Sequence, residues 1–383
     1  MHFDVAVIGG GIAGASAAAQ LVSTGSVIVI ERESQPGYHA TGRSAALFSE
    51  IYGNAPVRAL SRASRGFLET PPADFAASPI LSPRGALHVG GRDDSALLDQ
   101  AFETAHRLVP TVERIGAAAV MRRVPAMRRE AVESGGVFEP DARDIDTNGL
   151  LQGFLRRLRS GNGKILLDAP VTAIERDGNR WRIAAGDHEI SAGVIVNAGG
   201  AWGDALAALA GAKPVGLTPK RRTAFLIAPP AGMDTRDWPL TISAHEDLYF
   251  KPDAGKLLVS PADETPSEPV DAQPEELDVA VAADRLAERT TIEVRRIEHK
   301  WAGLRTFAPD KTPVVGFDPG VAGFFWLTGQ GGYGFQTAPA MARLAAALIA
   351  GKGVPPEIQD QGITADQLSP ARFASDMRAA RPN

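Results

Sequence analysis

Residues 4–31 read DVAVIGGGIAGASAAAQLVSTGSVIVIE. The apolar run at 4–8 predicts a buried strand, the Ala-rich run at 12–22 predicts a helix, and the apolar run at 27–30 predicts a second strand. The glycines between the first strand and the helix match G-x-G-x-x-G, and Glu31 ends the second strand seventeen residues after Gly14. This arrangement is typical of a β-α-β unit that binds a dinucleotide.

Each glycine of that pattern has a physical role. Gly9 permits the tight turn, Gly11 lets a pyrophosphate approach backbone N–H groups, and Gly14 lets the helix pack closely on the strand. The N-terminus of the helix then faces the phosphates, and Glu31 can accept hydrogen bonds from ribose hydroxyls. The pattern by itself does not distinguish NAD from FAD.

A second glycine cluster lies near the other end of the chain. Residues 329–334 read GQGGYG, after an apolar run at 324–327 that predicts a buried strand and before a predicted helix at 337–349. A plain strand-to-helix turn is the alternative, but each glycine costs conformational entropy, so four in six residues favour a second backbone nest. Such a nest suits a long ligand that is held at both ends.

Composition excludes several classes of protein. The net charge is -5 and no dense Lys/Arg run occurs, which argues against nucleic-acid binding. There is no cysteine, so disulfides, zinc-thiolate sites, iron–sulfur clusters and thiol catalysis are excluded, and the histidines are too scattered for a metal site. We find no long apolar run and no leader sequence, and we expect a cytoplasmic protein, with peripheral attachment to the inner membrane left open.

The pattern along the chain predicts an α/β (α+β) protein of two interleaved domains. A dinucleotide-binding domain of Rossmann type is assigned to residues 1–52, 142–220 and 300–383. A smaller substrate-binding domain on a mixed or antiparallel sheet is assigned to residues 53–141 and 221–299. An amphipathic helix at 147–159 and strands at 164–167, 171–175, 180–184, 193–196, 222–228, 248–251 and 256–259 are expected from periodicity.

Five blocks in this order carry a resemblance to a known family. They are residues 9–14 with Glu31, YHATGRSAA at 38–46, VNAGGAW at 196–202, WAGLR at 301–305 and GQGGYG at 329–334. The chain resembles the D-amino-acid oxidase and glycine oxidase superfamily, and within it the bacterial D-arginine dehydrogenases. The resemblance implies non-covalent FAD on a Rossmann-type domain of the glutathione-reductase-like kind. It also implies oxidative deamination of D-amino acids, in which hydride passes from Cα to flavin N5 and the imino acid hydrolyses to a 2-oxo acid and ammonia.

The resemblance assigns a set of residues to the cofactor. They lie in the first glycine turn, the segment after the second strand, the middle strands and the second glycine cluster: Gly9, Gly11, Ile12, Ala13, Gly14, Glu31, Arg32, Thr41, Gly42, Arg43, Ser44, Ala45, Ala46, Val171, Ala198, Gly199, Trp202, Gly331, Gly332, Tyr333, Gly334, Phe335, Gln336 and Thr337. His39 is a candidate covalent tether, but relatives with the same block hold FAD without a bond.

The resemblance also assigns substrate contacts. Arg305 would bind the substrate carboxylate with help from Tyr249, because a planar guanidinium matches a carboxylate at two points. Tyr52 would close the site from a loop, and Gly332 would accept a hydrogen bond from the substrate amine. Arg222 is a second cation for the carboxylate, or else, beside Lys220 and Arg221, part of a solvated face.

The chain departs from D-arginine dehydrogenases where they hold the substrate side chain. Leu47 and Ala86 stand where those enzymes have a histidine and a glutamate, and Leu240, Ile242 and Phe335 are expected to line the same pocket. We therefore expect a neutral or hydrophobic D-amino acid, unless Glu50 or Asp247 replaces the missing acid. A glycine- or sarcosine-type amine oxidase, a 2-hydroxy-acid dehydrogenase and a flavin-binding subunit of a larger complex remain alternatives. The electron acceptor, a quinone or other carrier or oxygen, is not determined by the sequence.

Overall fold

The computed structural model describes residues 1–373. Its α-helices are α1 Ile12–Leu21, α2 Ala55–Glu69, α3 Ser95–Leu108, α4 Ala117–Arg123, α5 Thr147–Ser160, α6 Gly203–Leu209, α7 Glu276–Arg289, α8 Gly334–Ile349, α9 Pro356–Gln359 and α10 Ala365–Leu368. Its strands are β1 His2–Ile8, β2 Val27–Ile30, β3 Leu47–Phe48, β4 Leu81–Pro83, β5 Ala86–Gly90, β6 Glu113–Ile115, β7 Gly135–Glu139, β8 Arg143–Ile145, β9 Lys164–Leu166, β10 Val171–Asp177, β11 Arg180–Ala185, β12 His188–Asn197, β13 Thr218–Ile227, β14 Leu240–Ser243, β15 Tyr249–Asp253, β16 Lys256–Ser260, β17 Thr265–Pro266, β18 Ile297–Phe307, β19 Val314–Phe317, β20 Phe324–Thr328 and β21 Gln330–Gly331.

The first sheet has a parallel centre in the order β9-β2-β1-β12-β20. Its strands are apolar on both faces because both faces are covered. Val5 and Val7 of β1 pack in a core cluster with α1 and α8, whereas Ala6 and Ile8 point the other way into a second cluster. Continuous apolar strands of this kind are expected in a parallel sheet between two layers. The antiparallel strands β10, β11 and β19 extend this sheet at its margins.

The second sheet is mixed and has ten strands among the described residues, in the order β21-β18-β13-β16-β15-β14-β5-β7-β6, with β17 paired to β13. Side chains alternate across it, since strand neighbours point to opposite faces. Leu87 and Phe250 lie on the face that packs against α7. The neighbouring positions Ala86 and Tyr249 therefore lie on the opposite face. A small third sheet has the order β3-β8-β4.

The α/β fold class predicted from the sequence is confirmed. The helix expected at 147–159 is α5, and the two strands expected before and after the first glycine turn and its helix are β1 and β2. Two predicted domain boundaries, 220/221 and 299/300, fall inside β13 and β18, which pair with each other along most of their length. Among residues 1–373, no helix is long and apolar enough to cross a membrane.

Candidate active site

A cavity of about 470 Å³ opens along the carboxyl ends of the parallel strands. We call it the first cavity. One end is lined by Glu31, Arg32 and Trp202, and the other by Arg305 and Gly332. An elongated space between a glycine turn and a second cluster of glycines is what the sequence predicted for a ligand held at both ends.

The glycine turn at the start of α1 leaves no room for side chains. Gly9 has φ +110°, and a Cβ there would lie 2.4 Å from the carbonyl oxygen of Ala198. A Cβ on Gly14 would lie 1.9 Å from the carbonyl oxygen of Gly9, so Gly14 is the contact that brings α1 onto the turn. Gly11 lines the cavity at the N-terminus of α1, where backbone N–H groups lack intrahelical acceptors.

Glu31 lies at the end of β2, and its side chain is nearly buried at 7% exposure. One carboxylate oxygen accepts a hydrogen bond of 2.7 Å from the Gly10 N–H, and the other accepts one of 3.0 Å from the Glu33 N–H. Because each carboxylate oxygen has two acceptor sites, both retain capacity for a ligand hydroxyl. Glu31 thus fixes the glycine turn while it lines the cavity.

Aromatic and basic side chains close the Glu31 end of the first cavity. The Arg32 guanidinium lies 4.9 Å from the centre of the Trp202 ring, and the His39 ring lies 4.6 Å from the same ring. His39 also forms a hydrogen bond of 2.9 Å with Glu33, lies 3.9 Å from the Asp271 carboxylate and packs edge-on against the Tyr38 ring. Val171 lines this end as well.

The segment after β2 lies along the middle of the cavity. The Thr41 hydroxyl accepts a hydrogen bond of 3.0 Å from the Ile12 N–H, which ties the segment to the first turn of α1. Arg43 lines the cavity but also donates to the carbonyls of Ala272 and Ala302 at 2.9 and 2.8 Å. Its guanidinium therefore fastens this segment to the second sheet.

A second cavity, of about 580 Å³, lies between α3 and the face of the second sheet that carries Ala86 and Tyr249, which we call the front face. It meets the first cavity at five residues that line both: Ser44, Ala45, Tyr249, Arg305 and Gly332. Three of the residues predicted to contact substrate therefore lie together at this junction. Tyr52 lines the second cavity only, and Arg222 lines the first only.

Arg305 is held at the junction by its neighbours. Its guanidinium donates a hydrogen bond of 3.1 Å to the Tyr52 hydroxyl. A Cβ on Gly332 would lie 3.0 Å from the guanidinium carbon, so a larger residue there would displace the Arg305 side chain. The Tyr52 ring packs edge-on against Tyr333 at 4.9 Å between centres. Although burial alone would lower the pKa of Arg305, the surrounding tyrosines raise it, so the charge is permanent.

Tyr249 lies between two arginines. Burial would raise the pKa of its phenol, but the positive charges of Arg305 and Arg222, with hydrogen bonds involving Ser260 and Arg222, lower it below its usual value. Arg222 is not on a solvated face: its side chain is 13% exposed, and it donates to the Asp263 carbonyl at 2.7 Å. Arg222 also pairs with Glu264 at 3.3 Å. Arg305 is therefore the cation of the junction, and together with the Tyr249 hydroxyl it suits a carboxylate.

Leu47, Ala86, Leu240 and Ile242 all line the second cavity. Four polar side chains in the same lining were not predicted from the sequence: His88, Glu139, Glu246 and Lys251. The two acids considered as replacements lie elsewhere in contacts of their own, because Glu50 pairs with Arg65 at 3.3 Å and Asp247 with Arg289 at 2.9 Å. Glu139 could have been found only from the pairing of β5 with β7, which puts it opposite Ala86.

Several predicted residues lie away from the expected lining. Phe335 lines the first cavity and not the second, because it lies in the first turn of α8. The Gln336 amide oxygen accepts a hydrogen bond from the Ser49 N–H, and the Gln336 amide nitrogen donates one to the Ser61 hydroxyl. The Thr337 hydroxyl donates to the Tyr333 carbonyl. Two of the predicted cofactor residues, Gly14 and Gly42, do not line the first cavity but pack closely against backbone atoms. Two others, Ala46 and Tyr333, line the second cavity.

Residues 4–348 match the protein family described as "DAO: FAD dependent oxidoreductase". N-methyl-L-tryptophan oxidase of Salmonella agona is 24% identical over 379 residues, covering 92% of this chain and 96% of that protein. FAD-dependent oxidoreductase domain-containing protein 1 of Bos taurus is 24% identical over 405 residues, covering 90% and 81%. The crystal structure of glycine oxidase from Geobacillus kaustophilus has a TM-score of 0.81 at 20% identity, covering 92% and 95%. These matches confirm the family and the FAD cofactor expected from the sequence.

The first cavity fits FAD on its own geometry. Gly9 and Gly11 line it beside the N-terminus of α1, a Cβ on Gly9 would clash with the Ala198 carbonyl oxygen, and Glu31 offers acceptors at the nucleoside end. At the other end, Ser44 and Ala45, which line both cavities, are among the residues that would hold the flavin part of FAD. The residues that hold the cofactor therefore leave Arg305 and Tyr249 free for a substrate.

Proposed function

This chain belongs to the DAO family of FAD-dependent oxidoreductases, and we propose that it catalyses the oxidative deamination of D-amino acids with neutral or hydrophobic side chains. The observation that carries the proposal is the position of Arg305, which lines both the FAD cavity and the second cavity. An α-amino acid has its carboxylate, amine and side chain on one carbon. A cation at the junction can hold the carboxylate while Cα faces the flavin and the side chain enters the second cavity.

The side chains at the junction bind and orient in this proposal. Arg305 donates two N–H groups to the carboxylate, and Tyr249 adds a hydroxyl donor. Tyr52 covers the carboxylate from the loop before α2, and the Gly332 carbonyl accepts a hydrogen bond from the substrate amine. When bound, FAD supplies the oxidation by accepting the Cα hydride, and the imino acid is hydrolysed by water to a 2-oxo acid and ammonia. Orientation is therefore the main contribution of the protein.

The preference for neutral or hydrophobic side chains rests on Leu47, Leu240 and Ile242, which line the second cavity. Apolar burial contributes about 25 cal/mol per Å². The D configuration and deamination are carried over from the resemblance to D-arginine dehydrogenases at Arg305, Tyr249, Tyr52 and Gly332.

The test is an anaerobic absorbance titration of the purified holoprotein with D- and L-amino acids at high pH. We expect the flavin band to bleach with D-leucine, D-phenylalanine and D-methionine, and not with their L enantiomers. A clear preference for D-arginine would overturn the side-chain preference, and bleaching by L-amino acids would overturn the configuration. Admission of air afterwards identifies the acceptor: rapid reoxidation indicates oxygen, and slow reoxidation indicates a carrier such as a quinone.

A second candidate is oxidation of a secondary amine, of the glycine or sarcosine type. Its support is the 24% identity to N-methyl-L-tryptophan oxidase across 92% of this chain. The same titration includes sarcosine and N-methyl-L-tryptophan, and bleaching by these compounds alone would favour this candidate. A band that bleaches with 2-hydroxy acids, or with none of the compounds, would favour a hydroxy-acid dehydrogenase or a partner-dependent subunit.

A further inference from the structure

The front face of the second sheet presents an ordered wall to the substrate. Strand register places Tyr249 beside Ile242 and Ile242 beside His88 in one row across the sheet. In the next row, Leu240 lies beside Ala86 and Ala86 beside Glu139. Across the sheet, the first row is therefore apolar at Ile242 and polar at His88, and the second row is apolar at Leu240 and Ala86 and acidic at Glu139.

Glu139 is an unusual residue for that far edge. Its side chain is 2% exposed, and none of the ion pairs among residues 1–373 includes it. One carboxylate oxygen accepts a hydrogen bond of 2.7 Å from the Ser49 hydroxyl, and the other accepts one of 3.3 Å from the Glu50 N–H. Each oxygen retains a free acceptor site. A buried carboxylate without a cation is costly, and a hydrogen-bond donor from the cavity would reduce that cost.

His88 provides a second unpartnered group in the same lining. Its ring makes no hydrogen bond to any residue in the part of the chain that the structure describes, although it lines the second cavity. Burial lowers the pKa of this imidazole, with a smaller opposing effect from Glu246, so the ring is neutral. A neutral imidazole accepts at one nitrogen and donates at the other.

The lining of the second cavity carries charges of both signs, since Glu246 lines it as well as Glu139 and Lys251. Lys251, which also lines the second cavity, bonds Asp144 at 2.7 Å, and Arg84 bonds the other oxygen of Asp144 at 2.6 Å. Two positive charges thus share one carboxylate beside the apolar part of the wall. A neutral donor satisfies Glu139 without adding a third cation.

We propose that Glu139, with His88, is a specificity-determining residue that accepts a hydrogen bond from a donor at the end of a long, otherwise apolar and neutral substrate side chain. This inference rests on the proposed function and deepens it. Three strand spacings of ~4.8 Å separate the strand of Tyr249 from the strand of Glu139, about 14 Å in all. Part of this distance is covered by the Glu139 side chain and the hydrogen bond. The substrate side chain must cover the rest, which requires one about as long as that of tryptophan or citrulline.

The test uses substrates that differ in one donor. D-tryptophan has an indole N–H, whereas 3-(3-benzothienyl)-D-alanine has the same shape with sulfur in its place. We expect the wild-type holoenzyme to prefer D-tryptophan in kcat/KM by at least ~10-fold, because the isostere leaves Glu139 without its donor. D-citrulline against D-arginine compares a neutral donor end with a cationic end of similar length, and D-citrulline should be the better substrate.

Variants separate the effect of Glu139 from a general effect on folding. In Glu139→Leu, the ratio of kcat/KM for D-tryptophan to that for its sulfur isostere should fall to about one through a change in KM. Glu139→Gln keeps an acceptor oxygen and should retain part of the preference for D-tryptophan. Glu69→Gln is the control, since that carboxyl also pairs with Arg65, at 2.8 Å, and lines neither cavity, and its preference should equal that of the wild type.

The two proposals fail differently. If no amino acid bleaches the flavin, the proposed function is wrong. If D-amino acids react but the wild-type preference is near one, or survives in both Glu139 variants, the inference about Glu139 is wrong. If the wild-type enzyme oxidises D-arginine efficiently and Glu139→Gln does not, the donor that Glu139 binds is cationic and the proposal of a neutral donor is wrong.

Discussion

Arg305 and Tyr52 are joined by a hydrogen bond of 3.1 Å between the guanidinium and the phenol oxygen, although 253 residues separate them in sequence. Arg305 lies on a long strand of the second sheet, and Tyr52 lies in the loop between β3 and α2. The contact therefore positions the cation from a rigid element and places a tyrosine over it from a loop. Two predictions follow from this pair.

Arg305→Ala should raise KM for the amino acid by orders of magnitude while FAD stays bound, because in the proposed function the guanidinium binds the substrate carboxylate at the junction, whereas the residues around the glycine turn and Glu31 hold the cofactor. Arg305→Lys keeps the charge but loses the two-point contact, so its KM should lie between those of Arg305→Ala and the wild type. Steady-state kinetics with the flavin absorbance as a control for cofactor content measure both. An unchanged KM in Arg305→Ala would rule out the carboxylate role.

Tyr52→Phe should raise KM by about 3- to 15-fold, the effect of losing one hydrogen bond to an ordered cation. The packing of the ring on Tyr333 should survive, because phenylalanine keeps the edge-on contact. Thermal unfolding should therefore change little. A fall in Tm with no change in KM would show that Tyr52 has a structural role only.

Glu139 gives a prediction about stability and pH. Burial raises the pKa of its carboxyl to about 7, and the negative charges of Glu50 and Asp141 add to this, against hydrogen bonds from Ser49 and the Glu50 N–H. Because the pKa is higher in the folded protein than in the unfolded chain, its stabilising contribution is present below about pH 4.5 and is lost as pH rises through about 7. The whole effect is at most ~3 kcal/mol.

Glu139→Gln removes this titration. The Tm of the variant relative to the wild type should therefore increase between pH 5 and pH 9, as measured by thermal unfolding of the holoprotein at several pH values. A difference in Tm that does not vary with pH would mean that the Glu139 carboxyl titrates alike in the folded and unfolded chains.

Gly14→Ala should yield protein without bound FAD, because the added methyl would lie 1.9 Å from the Gly9 carbonyl oxygen and would push α1 away from the glycine turn. Gly66→Ala is the control, since a Cβ at this helical glycine meets nothing within 4 Å. We expect the control to keep its flavin spectrum and to gain slightly in stability. A yellow Gly14→Ala protein with normal FAD affinity would show that α1 can move without loss of the cofactor.

The sequence was most informative where function depends on local backbone. The turn from Gly9 to Gly14 and the nest from Gly329 to Gly334 are contiguous patterns, and their position between strand and helix could be read directly. Arg305 could be placed at the substrate only through the resemblance, since its neighbour Tyr52 lies far away in sequence. The α/β fold and FAD followed from the same short motifs.

The far wall of the second cavity could not be predicted in this way. Whether Glu139 faces a cavity depends on the register between β5 and β7, and a shift of one residue would turn it to the other face. Phe335 is a different case: it was assigned both to the cofactor and to the substrate pocket, it lines the first cavity only, and the helix predicted at 337–349 did not include it. In both cases the position of the side chain depends on how segments distant in sequence pack together, which a local sequence pattern does not report.

The arrangement of the cavity wall on one face of a sheet also bears on how this protein can evolve. Ile242, His88, Leu240 and Ala86 come from adjacent strands, and their backbone bonds do not depend on which side chain each position carries. A single mutation can therefore exchange one point of the wall while the strands, the glycine turn and the flavin stay in place. The protein can acquire a new substrate without first passing through an unstable fold, and directed evolution of its specificity should begin at these four positions.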